Sequence, residues 1–274
     1  MLSSIRVKFV RGEEVKYISH LDLMKMFERA LRRSKIPIAY SQGFNPHPDM
    51  VFGLPLSVGV TSESEYADFE LESDVNPSEF TQRLNQNLPV GIEIVGACEN
   101  KMTSNIMASV AGASYEVLVL TEGKVGVEDL KSKLVGFLKE EQIFIEKASK
   151  GKLKKIDIRP MIYSIDVNSA GNSEVAENTE AAFGYTNPWI LRYVDMLKAE
   201  DNQFKQNNPS AILCFTMLLA AGSVANLKPE FAIMAFGRYA GIDFDILKIH
   251  RSGLFIGTRE KLMNPLDGHV LLSI

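Results

Sequence analysis

Cysteine is nearly absent from this chain, with Cys98 and Cys214 the only two in 274 residues. Far apart and each set in an apolar, strand-like context, they exclude a disulfide framework, a thiolate zinc site and a cysteine-held iron–sulfur cluster, and read as two buried thiols. Histidine is scarce as well. His20, His47, His250 and His269 are scattered, none with a second ligand at helical spacing, so no metal site is expected. Neither a phosphate loop, a dinucleotide fingerprint nor a nucleophile elbow occurs, and no cofactor is expected. The longest apolar stretches, such as 211–221, fall far short of the ~20 residues that cross a bilayer. The N-terminus enters an alternating strand with no basic-then-apolar leader, so the chain is read as cytoplasmic, with no membrane partner.

Element order is the most informative feature present. Hydrophobic periodicity spells β-α-β-β-α-β twice, from Ile5 to Cys98 and from Tyr115 to Ile256. The expected fold class is therefore α+β, two tandem ferredoxin-like modules, the second carrying a helical insertion. The division reads as a first module at 1–100, a polar, small-residue linker at 101–113, and a second module at 114–274 with the insertion at 167–210.

In the first module, Ile5, Val7 and Phe9 alternate with Arg6 and Lys8 as a half-buried strand. Ser19 and Asp22 form a capping-box-like start to a helix that runs to Ser34 with Leu23, Met24, Phe27, Ala30 and Leu31 on its apolar face. Arg29, Arg32 and Arg33 stand at i, i+3 and i+4, as either a solvated helix face or an anion-binding patch. A short strand is expected at Ile38-Ala39-Tyr40. After it comes Ser41-Gln42-Gly43-Phe44-Asn45-Pro46-His47-Pro48, where two prolines and a glycine fix the backbone. Gln42, Asn45 and His47 offer hydrogen bonds there and Phe44 a stacking face, which suits a binding loop or a structural corner. An interrupted strand at 51–56 and a strand with one apolar and one polar face at 66–71 follow. A helix opened by Asn76 and Pro77 buries Phe80, Leu84 and Leu88, and a closing strand holds Ile92, Ile94 and Val95.

Charge is unevenly spread within a net charge of −4. From Arg6 to Lys35 bases outnumber acids, whereas the seven acids between Glu63 and Glu79 meet no base. One surface suits an anionic ligand and another does not.

In the second module a strand at 115–120 and a helix bearing Val127, Leu130, Leu134 and Phe137 repeat the opening. Lys147, Lys150, Lys152, Lys154 and Lys155 crowd a hairpin, followed by Asp157 and Arg159, read as two residues on one strand face that pair structurally or with a ligand. Trp189, on a helix within the insertion, is either a packing anchor or part of an interaction surface. Asn226 and Lys228 lie in a glycine-containing turn before a helix whose apolar side is read as Phe231, Met234, Ala235 and Tyr239. His250-Arg251-Ser252-Gly253 reads as a polar interruption beside the last strand.

The runs Tyr17-Ile18-Ser19-His20-Leu21-Asp22, Tyr40 to Pro48, Phe52-Gly53-Leu54-Pro55-Leu56, Asp157-Ile158-Arg159-Pro160, Gly222 to Glu230 and His250-Arg251 closely resemble the radical-SAM-linked bacterial family with a DUF2344 domain. The resemblance covers most of the chain; the Asn-rich insertion departs from the shorter family pattern. It implies a radical SAM protein as partner and no catalytic assignment. The expected function is thus an accessory of a radical SAM enzyme that binds RNA, tRNA or rRNA, or presents a substrate. Its candidate ligand or RNA contacts are Arg29, Arg32, Arg33, Tyr40, Gln42, Phe44, Asn45, His47, Asp157, Arg159, Asn226, Lys228, His250 and Arg251. The alternatives are a metal-independent ribonuclease resembling CRISPR RNA-processing proteins, with His20 and His47 as its catalytic candidates, or a purely structural partner-binding module.

Overall fold

The computed structural model describes residues 3–102, 104–121, 125–149, 152–170, 187–200, 212–268 and 270–273. Lys150, His269 and the stretches 171–186 and 201–210 of the insertion lie outside them. Its elements are β1 (Ser3–Arg11), α1 (His20–Ser34), β2 (Met50–Phe52), β3 (Thr61–Leu71), α2 (Pro77–Asn85), β4 (Ile92–Glu99), α3 (Ile106–Ser109) and β5 (Val110–Leu120). There follow α4 (Val127–Lys139), β6 (Phe144–Ser149), β7 (Lys152–Asp157), β8 (Ile162–Ser169), α5 (Pro188–Glu200), β9 (Ile212–Ala220), α6 (Pro229–Ala240), β10 (Asp245–Thr258), β11 (Lys261–Met263) and β12 (Val270–Ser273). The architecture is mixed α/β, with a large, mostly antiparallel sheet, a separate β6–β7 hairpin and, among the described residues, six helices. No helix among the described residues is long and apolar enough to cross a membrane.

The chain divides into two compact units, the first being Met1–Ala113, Ala221–Ala225 and Arg251–Ile274, the second Ser114–Ala220 and Asn226–His250. Residues 251–274 thus belong to the first unit, because Arg251 pairs with Glu65 and β10 continues through β11 into β12.

In the first unit β4, β1 and β3 are neighbours, all antiparallel, and β2 pairs with β3. Ile5, Val7 and Phe9 point into the core, as their alternation requires. α1 begins where Ser19 Oγ accepts the Asp22 amide at 3.2 Å; the Asp22 carboxylate accepts the Ser19 hydroxyl at 2.7 Å. It ends at Lys35, which takes the left-handed φ of 54° before Pro37. Its buried Phe27 meets Phe9 and Phe52 edge-on, and Phe69 joins Phe27 to Phe80 of α2. Such ring pairs add about 0.5–1.5 kcal/mol each beyond area burial.

Three local expectations are corrected here. Ile38, Ala39 and Tyr40 form only isolated bridges, Ile38 to Leu71 and Tyr40 to Pro48, because β2 occupies the edge of β3 from Ala67 to Phe69. The polar face of β3 is itself covered at Asp68, 3% exposed and met by buried Arg6, and the opposite face holds a buried acid of its own, Glu65, which is level with core-facing Phe9, 4% exposed and met by Arg251. The stretch read as a linker carries α3, whose Ile106 is fully buried and donates its amide to Asp68 at 2.7 Å.

Gly222 is one position in this unit where only glycine fits. Its φ is +118°, and a Cβ there would stand 2.2 Å from the Val110 carbonyl oxygen. Gly222→Ala is expected to lower stability by about 2 kcal/mol, read as a shift in urea midpoint at unchanged slope.

In the second unit the neighbours run β10, β5, β9, β8. Phe137 of α4 and Phe215 of β9 both pack on Phe236 of α6. The buried side of α6 centres on Ala232, Ile233 and Phe236, and Tyr239, expected inside, is 45% exposed. That helix is apolar almost all round, with only Glu230 and Arg238 charged, so its sequence pattern does not single out one face. The insertion's helix, α5, buries Ile190 and Val194 against Leu118, Ala170, Ile212 and Cys214. β10 is one continuous strand; His250 and Arg251 lie buried within it, where an interruption was expected. Burial pushes the thiols of both Cys98 and Cys214 above their ordinary pKa, which removes the thiolate needed for reactivity.

Candidate nucleic-acid interface

The outward side of α1 carries Lys25, Arg29, Arg32 and Arg33, all exposed, because its inward positions hold Leu23, Phe27, Ala30 and Leu31. Arg33 donates to the Asn87 carbonyl at 2.9 Å. Among the described residues the side chains of Arg29 and Arg32 have no ion-pair or hydrogen-bond partner, which leaves their guanidinium groups open. At a helix C-terminus such cations also complement the dipole.

Beside this helix stands the loop after Tyr40. The Ser41 amide donates to the His47 carbonyl at 2.9 Å, the His47 amide to Ser41 Oγ at 3.1 Å, and the Asp49 amide to Ala39 at 2.8 Å. Closed in this way, and with Gly43 at a φ of +150°, the loop projects Gln42, Phe44, Asn45 and His47 into solvent. Phe44 is fully exposed and Tyr40 is 44% exposed. His47 Nδ1 lies 3.8 Å from Glu28 Oε1, which places the loop next to the side of α1 that Glu28 shares with Lys25 and Arg32, three residues before it and four after. A displayed aromatic beside open guanidinium groups is the chemistry that stacks an unpaired base and holds its phosphate.

A second group of charged side chains lies inside the same unit. Arg251 donates through Nε and Nη2 to Glu65 at 2.8 and 2.5 Å, and both are buried. Arg6 grips Asp68 in the same side-on manner at 2.6 and 2.9 Å. Arg11 is fully buried and gives Nη2 to the carbonyls of Val15 and Ile18, at 3.4 and 3.1 Å. His20, half-buried at the start of α1, meets Phe52 edge-on at 5.7 Å. Sequence reasoning missed Arg6, Arg11, Glu65 and Asp68. The available signal for Arg11 was that it continues the core-facing alternation of Ile5, Val7 and Phe9.

Burial lowers the Arg11 pKa, opposed by Glu65 and reinforced by Arg251. The Tyr66 phenol is pushed up to about 12, chiefly by burial. His20 falls below its ordinary 6.5 through burial and then the charge of Arg11, against the pull of Glu65. The unfolded chain therefore binds the His20 proton more readily. The contribution of His20 to stability is complete above 6.5 and is lost as pH falls through the lowered folded value. Urea midpoints measured from pH 7 down to 5 are expected to fall less steeply for His20→Gln than for the parent chain.

The remaining candidates sit in the second unit, except Arg251. Asp157 and Arg159 do not share a strand face, because Pro160 ends β7 and Arg159 opens a 3-10 turn. Asp157 Oδ1 accepts the amides of Ile143 and Arg159 at 2.9 and 3.0 Å. The Arg159 guanidinium caps α4 at the Leu138 carbonyl, at 3.1 and 2.8 Å, and reaches Ile162 at 3.2 Å. Both side chains are structural. Asn226 and Lys228 are exposed at the start of α6, and His250 is buried with its ring stacked on Trp189 at 5.7 Å and 20°. Trp189 is thus a packing anchor. His20 and His47 do not form a pair: His47 stands by Glu28, eight residues and so about 12 Å along α1 from His20. Among the described residues no cluster of three or more His, Cys, Asp or Glu could hold a metal ion.

The loop after Tyr40, the buried Arg6, Arg11, Glu65 and Asp68, and Asn226 and Lys228 of the turn before α6 fall within one family match. The profile of a family described as "Uncharacterized protein conserved in bacteria (DUF2344)" matches residues 4–229. The chain belongs to the DUF2344 family. Within this DUF2344 member the match takes in Arg11, His20, the Phe44 loop and Glu65, and stops before Arg251. No curated protein sequence matches the chain. A solved structure, "Crystal Structure of a Cbf5-Nop10-Gar1 Complex", is similar at 11% identity and a TM-score of 0.42, over 91% of this chain and 47% of that one. The DUF2344 chain thus spans about half the length of that protein chain, and a likeness at this level sets neither fold nor function.

Proposed function

We propose that this DUF2344 protein is an RNA-binding accessory module of a radical SAM enzyme, acting in the cytoplasm, with two ferredoxin-like repeats as its scaffold. Strand order supports the scaffold. Numbering the strands of each repeat from one to four, both runs, β4-β1-β3-β2 and β10-β5-β9-β8, follow the order four, one, three, two. In the first repeat every pairing is antiparallel, as a split β-α-β unit requires.

The observation that carries the RNA reading is Phe44, fully exposed on a braced loop whose His47 stands by Glu28 of α1, the helix that exposes Arg29 and Arg32. A loop that only turned the chain has no use for a large aromatic held entirely in water. The radical SAM partner rests on the resemblance of the quoted motifs to the radical-SAM-linked family. With His20 and His47 held apart, no catalytic pair is assigned and the module serves to bind and present.

Ultraviolet crosslinking of the purified chain to a labelled single-stranded RNA, followed by peptide mass spectrometry, tests the location. Adducts are expected on the segment holding Tyr40 and Phe44. Adducts confined to other segments would place the interface elsewhere.

A further inference from the structure

Arg11 is the side chain in the first unit whose chemistry is least accounted for. Its exposure is 0%, and both Nε and Nη1 are buried without a hydrogen-bond partner. A sealed guanidinium with unmet donors is costly to fold around, because the lost hydration is not replaced. The carboxylate whose charge acts on it does not make good the loss, since both oxygens of Glu65 are engaged by Arg251. The group therefore holds two guanidinium charges against one carboxylate, with His20 neutral at physiological pH, and one positive charge remains uncompensated in a dry setting.

We infer that Arg11, His20, Glu65 and Arg251 form a buried oxyanion-binding site for one singly charged group, a carboxylate or a phosphate monoanion, distinct from the exposed arginines of α1. The charge of the occupant follows from the surplus of one. Its donors are Nε and Nη1 of Arg11, the two nitrogens not used in holding the Val15 and Ile18 carbonyls. Approach is on the His20 side, because His20 is the half-exposed member of the four while the others are buried. An anion seated there also meets the His20 ring. It replaces the repulsion of Arg11 by attraction, so occupancy draws a proton onto His20. The groups that set this titration are Arg11 and Glu65 directly and Arg251 through Arg11.

The experiment uses the full chain with sodium acetate, inorganic phosphate or chloride at equal ionic strength. The readouts are melting temperature and the pH titration of the His20 imidazole by NMR. Acetate or phosphate, but not chloride, is expected to raise the melting temperature and to move the His20 pKa up by at least about half a unit; whichever acts more strongly identifies the oxyanion. Arg11→Met is expected to lose the thermal response. Should that variant not fold, the His20 titration in the parent chain still decides. The variant Arg29→Ala/Arg32→Ala is expected to keep the full response, which separates this site from the proposed RNA surface. Equal effects of all three salts, an unmoved His20, or a response lost in the Arg29→Ala/Arg32→Ala variant would each overturn the inference.

Discussion

Glu65→Ala is expected to lower the unfolding free energy by about 3–5 kcal/mol, more than any other single change considered, because it strands two buried guanidinium groups at once. Arg251 loses its carboxylate while its Nη2 still donates to the Leu54 carbonyl, and Arg11 loses the negative charge of Glu65 that offsets its burial. The magnitude belongs to breaking a pair, which differs from what the pair contributes. The double variant Glu65→Leu/Arg251→Met, apolar and of similar volume, is accordingly expected to recover most of the loss. Guanidinium chloride denaturation at neutral pH measures both. A loss under about 1 kcal/mol for the single variant would put the pair in the range of solvated surface bridges.

The second large effect lies on the surface and leaves stability alone. Phe44→Ala is expected to weaken single-stranded RNA binding by about 1–3 kcal/mol, roughly 5- to 150-fold, the worth of one base stacked on an aromatic ring. Its salt dependence should not change, since a phenyl ring displaces no counterion. Arg29→Ala/Arg32→Ala should do the reverse, lowering the slope of log affinity against log salt by about 1.4 for two single-strand phosphate contacts. Both sites are exposed, so melting temperatures are expected to stay close to that of the parent chain. This split between affinity and slope separates stacking from charge, which a simple loss of binding would not do.

The elements that sequence reasoning placed well are those whose signals are local. α1 is an example: Ser19 supplies its cap, and Leu23, Phe27, Ala30 and Leu31 recur at helical spacing, each about one turn or less from the next. The Phe44 loop was equally legible, because its prolines and glycine act on adjacent backbone. What escaped depends on partners remote in sequence. Glu65 and Arg251 are separated by 186 positions, and nothing near either residue announces the other. The same holds for Asp68, whose two partners, Arg6 and the Ile106 amide, come from opposite sides of it in sequence. Asp157 and Arg159 were misread for a local reason, since two-residue spacing implies a shared face only while the strand continues. In α6 the ambiguity is compositional, because an all-round apolar helix lets the surrounding sheet choose its face.

Fluorescence anisotropy of a labelled single-stranded RNA titrated with the full chain, at low and at physiological salt, tests the RNA-binding account most directly. The account predicts saturable binding that weakens as salt rises and that depends on Phe44, Arg29 and Arg32. Absence of binding at low salt, or binding indifferent to all three substitutions, would contradict it.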